Sequence, residues 1–112
     1  MKIEARNEGG VTVISPKGKI TIGAGDVALR EAVHEALEAG ARKILLDLAG
    51  VTTIDSSGIG EMVHAYTTVT NRGGKLKLVN MPSKVADILQ ITQLITVFDT
   101  YDTMAEALAS YE

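Results

Sequence analysis

The sequence predicts one α/β domain built on a mixed, mostly parallel sheet, with an antiparallel hairpin at its N-terminus and about four helices packed against the strands. Three observations carry that expectation. Short β-type runs alternate with stretches of helical periodicity, the pattern of βαβ units. Ile44-Leu45-Leu46-Asp47-Leu48 is nearly continuous in apolar character, as suits a strand covered on both faces of a parallel sheet. Ile3 to Arg6 and Val11 to Ile14 are two β-type runs around the turn Asn7-Glu8-Gly9-Gly10. The chain has 112 residues, and compact domains cluster at about 100–150 residues. Residues 1–112 are therefore expected to form a single unit, without internal repeat or low-complexity linker.

The elements follow in order. Pro16-Lys17-Gly18 is expected to break the second strand, and Lys19-Ile20-Thr21-Ile22 to form a third, short one before Gly23-Ala24-Gly25. Asp26 is placed to cap or charge a helix with Leu29, Ala32, Val33, Ala36 and Leu37 on its apolar stripe and Gly40 as its stop. Arg30, Glu31, Glu35 and Glu38 fall off that stripe and should face water. Ile44 to Leu48 is the expected central strand, and Ala49 to Ile54 a loop. A second helix, with Ile59, Met62, Val63, Tyr66 and Val69 on one face, should run to Asn71-Arg72-Gly73-Gly74. Lys75 to Val79 reads as a strand, with Lys75 and Lys77 on a solvated face. Pro82-Ser83 opens a helix carrying Val85, Ile88 and Leu89. A short apolar strand near Val97-Phe98 and a last helix from Thr103 to about Tyr111 complete the chain.

Composition narrows the function classes. The chain is 46% hydrophobic and 22% charged, enough apolar surface for one core and too much for disorder. No apolar run exceeds three residues, against the about 20 that a membrane span needs, so no membrane insertion and no signal segment is expected. There is no cysteine and there are two histidines, which removes disulfide and thiolate chemistry and leaves little for a metal centre. Eleven basic and fourteen acidic residues give a net charge of −3, the wrong sign for a nucleic-acid binder. A cytoplasmic monomer without cofactor is the expectation.

Four candidate chemistries can be weighed. Gly23-Ala24-Gly25-Asp26-Val27-Ala28 matches a dinucleotide-binding fingerprint with a terminal alanine, with Asp47 about where an acidic ribose ligand belongs. The preceding strand is short and half polar, however, and a plain glycine turn into a helix explains the same residues. A nucleophilic triad would have to draw on His34 or His64, both off the apolar stripes. In Asp55-Ser56-Ser57-Gly58-Ile59-Gly60, Asp55 stands where a nucleophile elbow around Ser57 needs glycine. Asp47, Asp55 and Glu61 have no recognisable metal spacing. There remains Asp55-Ser56-Ser57-Gly58 itself, between a buried strand and a helix. These are ordinary capping residues, and equally an exposed serine beside a glycine that a protein kinase could reach.

The stretch Thr53-Ile54-Asp55-Ser56-Ser57-Gly58-Ile59-Gly60, preceded by Ile44 to Leu48, resembles the signature of the STAS domain, in particular the bacterial anti-sigma factor antagonists. The likeness extends to the early hairpin, Gly18-Lys19-Ile20, Gly73-Gly74-Lys75-Leu76 and the closing Leu94 to Phe98 and Ala105 to Leu108 segments. It implies a switch protein without catalytic activity. The unphosphorylated form would bind an anti-sigma factor that is also a serine kinase, freeing a sigma factor. The kinase would phosphorylate Ser56, and a serine phosphatase would restore it. Asp55, Ser56, Ser57, Gly58, Ile59, Thr21 and Gly23 are the implied partner-binding residues. Family members commonly carry an acid where this chain has Thr21. STAS domains also serve as unphosphorylated scaffold subunits of transport or sensory complexes, which is the alternative, beside a small nucleotide-binding protein using Gly23-Ala24-Gly25.

Overall fold

A computed structural model describes residues 2–112. In chain order the elements are β1 (Lys2–Glu8), β2 (Val11–Ile20), α1 (Gly25–Glu38), β3 (Lys43–Asp47), β4 (Val51–Ile54), α2 (Ser56–Asn71), β5 (Lys75–Val79), α3 (Ser83–Ile91), a short 3₁₀ turn (Leu94–Thr96), β6 (Thr100–Tyr101) and α4 (Met104–Ala109). The sheet order is β1-β2-β3-β5-β6, with β4 pairing β2 beyond the end of β3. Only β1 and β2 are antiparallel; the other pairings are parallel. The predicted fold class therefore stands.

The central strand behaves as its sequence demands. Ile44, Leu45 and Leu46 have no exposed surface. Ile44 and Leu46 join Ile14 and Leu78 beneath Leu29, Met62 and Val85 of α1, α2 and α3. Leu45 points the other way, into a smaller cluster with Val13, Val79, Ala107 and Tyr111 under α4. Alternation along a strand thus feeds two cores, and a run that lacks polar gaps is what two covered faces require.

Four sequence expectations are corrected. First, β2 does not break at Pro16. Pro16 lies opposite Ile3 of β1, between the Thr12–Ile14 stretch that pairs β3 and the Gly18–Ile20 stretch that pairs β4. A residue without an N–H sits there without interrupting either ladder. The register shifts between Gly18 and Lys19, and the continuation takes up Lys19 and Ile20, leaving Thr21 and Ile22 outside the strand. Second, Val51–Ile54 is not a loop: it becomes β4 because the end of β2 offers it an open edge. Third, Val97-Phe98 is not a strand. Phe98 is buried edge-to-face against Tyr66, 5.5 Å between ring centres, and the last strand is Thr100–Tyr101. Fourth, Lys77 is not on a solvated face. It is 7% exposed, its Nζ donates to the Ser110 carbonyl and hydroxyl at 3.1 and 3.0 Å, and it lies 4.6 Å from the Tyr111 ring centre. The short helix α4 covers that side of β5, so a lysine at the strand's far-face position is enclosed and serves as the helix's anchor.

Candidate functional site

The site is built where two helices begin against the end of one strand. At Gly25, the first residue of α1, a Cβ would stand 2.1 Å from the Lys19 carbonyl oxygen and 2.8 Å from the Ile20 Cα. At Gly58, in the first turn of α2, it would stand 2.1 Å from the Ile20 carbonyl oxygen. Both helices therefore reach the backbone of Lys19–Ile20 at distances only glycine allows. Gly25 thus has a packing reason of its own. Asp47, the acid the dinucleotide reading assigned to ribose, is engaged elsewhere, accepting from the Ala49 N–H at 3.1 Å and the Asn80 amide at 3.2 Å.

Asp55 ties the two helix starts together. It is the N-cap of α2: one carboxylate oxygen accepts from the Gly58 N–H at 2.9 Å, and the other accepts from the Ile22 N–H at 3.0 Å, 33 residues away in the chain. The loop thus held is closed from its other side by Asp26, which accepts from the Gly23 N–H at 3.0 Å while its own N–H donates to the Thr21 carbonyl at 3.1 Å. Gly23 takes a φ of +101°, the left-handed region that suits glycine at this bend. Asp26 is thus not the N-cap of α1, a position held by Ala24 without a side-chain cap bond; it braces the loop.

The serines occupy the surface of this corner. Ser56 is exposed and is the first residue of α2, and Ser57 is half-buried beside it. Ile22, which sequence reading placed in a strand, projects into solvent with 75% of its surface exposed. It is the apolar member of the corner that the sequence did not reveal; the signal available was its position between β2 and the Gly23-Ala24-Gly25 bend. Ile59 is 7% exposed and packs in the main core, so it has little side chain to offer a partner. Gly58 is buried too, and Thr21 is half-buried. His34 and His64 are exposed on α1 and α2.

The hydrogen bond from the Gly58 N–H, followed by that from Ile22, holds the Asp55 carboxyl below its ordinary value of 3.8. The folded state therefore binds this proton less readily than the unfolded chain. The resulting stabilisation is complete above the unfolded pKa and is lost as pH falls through the folded one. Asp55→Ala should lower the unfolding midpoint at neutral pH, with the gap to the native chain narrowing on acidification; a pH series of thermal melts checks it.

No Lys or Arg occurs in the chain between Lys43 and Arg72. Packing brings one in all the same: Arg30 of α1 pairs with Glu61 of α2 at 3.3 Å, one turn beyond Ser57. Glu61 is 8% exposed and its other carboxylate oxygen is buried with no hydrogen-bond partner among the described residues, so Arg30 is the one cationic partner this buried carboxylate has among them.

A model described as the STAS domain matches residues 2–107. The chain belongs to the STAS family. A Thermotoga neapolitana protein provisionally named as an anti-sigma factor antagonist is 34% identical over 98 residues, covering 88% of this STAS domain and 87% of the relative. The crystal structure of a Thermotoga maritima protein of the same provisional description superposes with a TM-score of 0.88 at 28% identity, over 96% of this chain and 92% of that one. The Bacillus cell fate determinant SpoIIAA, in its phosphorylated form, shares the fold with a TM-score of 0.75 at 18% identity, over 99% and 100% of the two chains. Among the described residues of this STAS domain, no helix is long and apolar enough to cross a membrane.

Proposed function

We propose that this STAS domain is an anti-sigma factor antagonist, a non-catalytic cytoplasmic switch whose state is written on Ser56. Unphosphorylated, it binds an anti-sigma factor that is also a serine kinase, and so releases a sigma factor. The kinase moves the terminal phosphoryl group of a nucleoside triphosphate to the Ser56 oxygen; the hydroxyl proton leaves to a base of the kinase, and the nucleoside diphosphate departs. A serine phosphatase hydrolyses the phosphoester and resets the switch. The observation that carries this reading is the exposure of Ser56 at the first position of α2, on a corner whose backbone is pinned by Asp55.

That corner also suits docking. Thr21, Ile22 and Gly23 flank the α2 N-terminus, so a partner could lay apolar surface on Ile22 while its active site receives Ser56. Asp55, Ser57 and Gly58 shape the backbone around the hydroxyl. Thr21, half-buried, gives this part of the contact a neutral hydroxyl.

Ser56→Ala should abolish phosphate incorporation and leave partner binding largely intact, because one hydroxyl at an interface edge contributes little by itself. Mass spectrometry of the phosphorylated peptide, after affinity capture of the partner from native cell extract, reads both. Incorporation that survives Ser56→Ala and disappears with Ser57→Ala would move the assignment by one residue; absence of any captured kinase would overturn the reading.

A further inference from the structure

The sheet has one long free margin. β1 is the end strand, exposed along almost its whole length, with β2 on one side and, among the described residues, no strand on the other. Its even-numbered residues, Lys2, Glu4, Arg6 and Glu8, share one face, where Lys2–Glu4 and Arg6–Glu8 ion pairs form at 3.6 and 3.0 Å. Ile3, Ala5 and Asn7 share the other, which forms one wall of an open groove of about 900 Å³ whose opposite wall is α1.

The hairpin sets which main-chain groups are free. The two-residue loop Gly9-Gly10, with φ of +59° and +91°, is closed by the pair Glu8 and Val11, which in a loop of this length exchange both main-chain hydrogen bonds. Bonded and unbonded pairs alternate back from the turn, so Arg6, Glu4 and Lys2 bond to β2 as Glu8 does. Ile3, Ala5 and Asn7 then turn their N–H and C=O groups to the free margin. The position of Pro16 agrees: lacking an N–H, it stands opposite Ile3, in the unbonded set.

We infer that β1 is the interface of a two-fold symmetric dimer of this chain, the strands pairing antiparallel with Ala5 opposite the second copy's Ala5. The charge order selects the occupant and the register. With Ala5 on the dyad, Lys2 faces Glu8 and Glu4 faces Arg6, each twice by symmetry, and Ile3 faces Asn7. Only registers that bring residues of equal parity together set free main-chain groups against free ones. The neighbouring registers of that kind fail: centred on Glu4, the pairing opposes Glu4 to Glu4 and Lys2 to Arg6; centred on Arg6, it opposes Arg6 to Arg6 and Glu4 to Glu8. Like charges directly opposite in a sheet destabilise it and unlike charges stabilise it. Charges on an end strand ordinarily repel a second chain; here their alternation makes the strand self-complementary about its odd residues, and Ala5 is the centre that uses all four charges, since pairing about Ile3 keeps only Lys2 opposite Glu4 and pairing about Asn7 only Arg6 opposite Glu8. Small Ala5 at the dyad also keeps the axis clear, and the groove walls of the two copies, Ile3 and Ala5 with Ala28, Ala32 and Ala36 of α1, meet on one side of the joined sheet. The dimer departs from the monomer expected from sequence.

Sedimentation equilibrium over a concentration series tests this on the full chain. A monomer–dimer equilibrium that weakens with salt is expected. Arg6→Glu should raise the dimer dissociation constant about tenfold or more, since it sets two like-charge pairs at the interface. The exchange Glu4→Arg with Arg6→Glu should restore it to within about threefold. Ala5→Pro should abolish the dimer by removing a free N–H on the dyad while leaving the β1–β2 bonds in place. Circular dichroism melts confirm that each variant is folded. A chain that stays monomeric to about 1 mM, or a dimer indifferent to Ala5→Pro, overturns the interface; failure of the charge exchange to restore association overturns the register.

Discussion

Gly58→Ala is expected to destabilise the domain by about 3 kcal/mol or more, at the upper end of what inserted core atoms cost. The added methyl would lie 2.1 Å from the Ile20 carbonyl oxygen, 2.7 Å from the Ile54 Cγ1 and 2.9 Å from the Ile20 Cγ2. The first of these is main chain and cannot swing aside. α2 would have to lift from β2, stretching the Asp55 bonds to Ile22 and Gly58 and loosening the Ser56 corner with them. Gly60, two residues on in the same helix, is the internal control: nothing lies within 4 Å of its Cβ position. Gly60→Ala should therefore stabilise the fold by about 0.5–1 kcal/mol through helix propensity alone. Denaturant unfolding of both variants separates close approach from a general intolerance of alanine. Equal effects at the two positions would contradict a close approach of α2 to β2 at Gly58.

Phosphorylation at Ser56 is expected to lower affinity for the kinase-like partner by about 100-fold or more while leaving the fold and its unfolding midpoint nearly unchanged. The modification adds about −1.5 to −2 charges at the N-terminus of α2, where the helix dipole tolerates an anion. Asp55 next to it is already an acceptor for two N–H groups and is held ionised by them. Arg30, the basic side chain that packing brings to this end of α2, is already paired with Glu61. There is accordingly no loose segment for the phosphate to order, and the new charge is presented outward. Like charges set against each other across an interface cost several kcal/mol, which corresponds to that loss of affinity. Amide shifts of the two forms, with titration of the partner at rising salt, measure both halves. Widespread shifts in the sheet, or unchanged affinity, would point to a conformational switch instead.

Several elements were legible because local chemistry dictates them. Gly9-Gly10 marks the hairpin, Ile44 to Leu48 the central strand, and the spacing of Ile59, Met62, Tyr66 and Val69 the buried face of α2. The Asp55-Ser56-Ser57-Gly58 corner was legible for the same reason, since an acid at the N-cap and a glycine three residues later describe a helix start whatever surrounds it. The errors fall where a neighbour, absent from local sequence, sets the outcome. Pro16 reads as a break until β1, β3 and β4 show that its missing N–H is not needed. Val51 to Ile54 has too little apolar pattern to announce a strand; the free end of β2 makes it one. Lys77 alternates like an outward residue, and only α4 closes over it.

The sequence by itself determined that this chain folds as a mixed, mostly parallel α/β domain and that a serine pair opens its second long helix. These follow from periodicity and capping, which act over a few residues. Tertiary structure alone decided what surrounds Ser56. It set Gly25 and Gly58 against the backbone of Ile20 in β2, stretched Asp55 across to Ile22, turned the Ile22 side chain outward while Ile59 went inward, and carried Arg30 to Glu61. The contacts of Gly58, Asp55 and Arg30 join residues far apart in the chain, and which distant groups meet depends on how strands register and how closely helices can approach them.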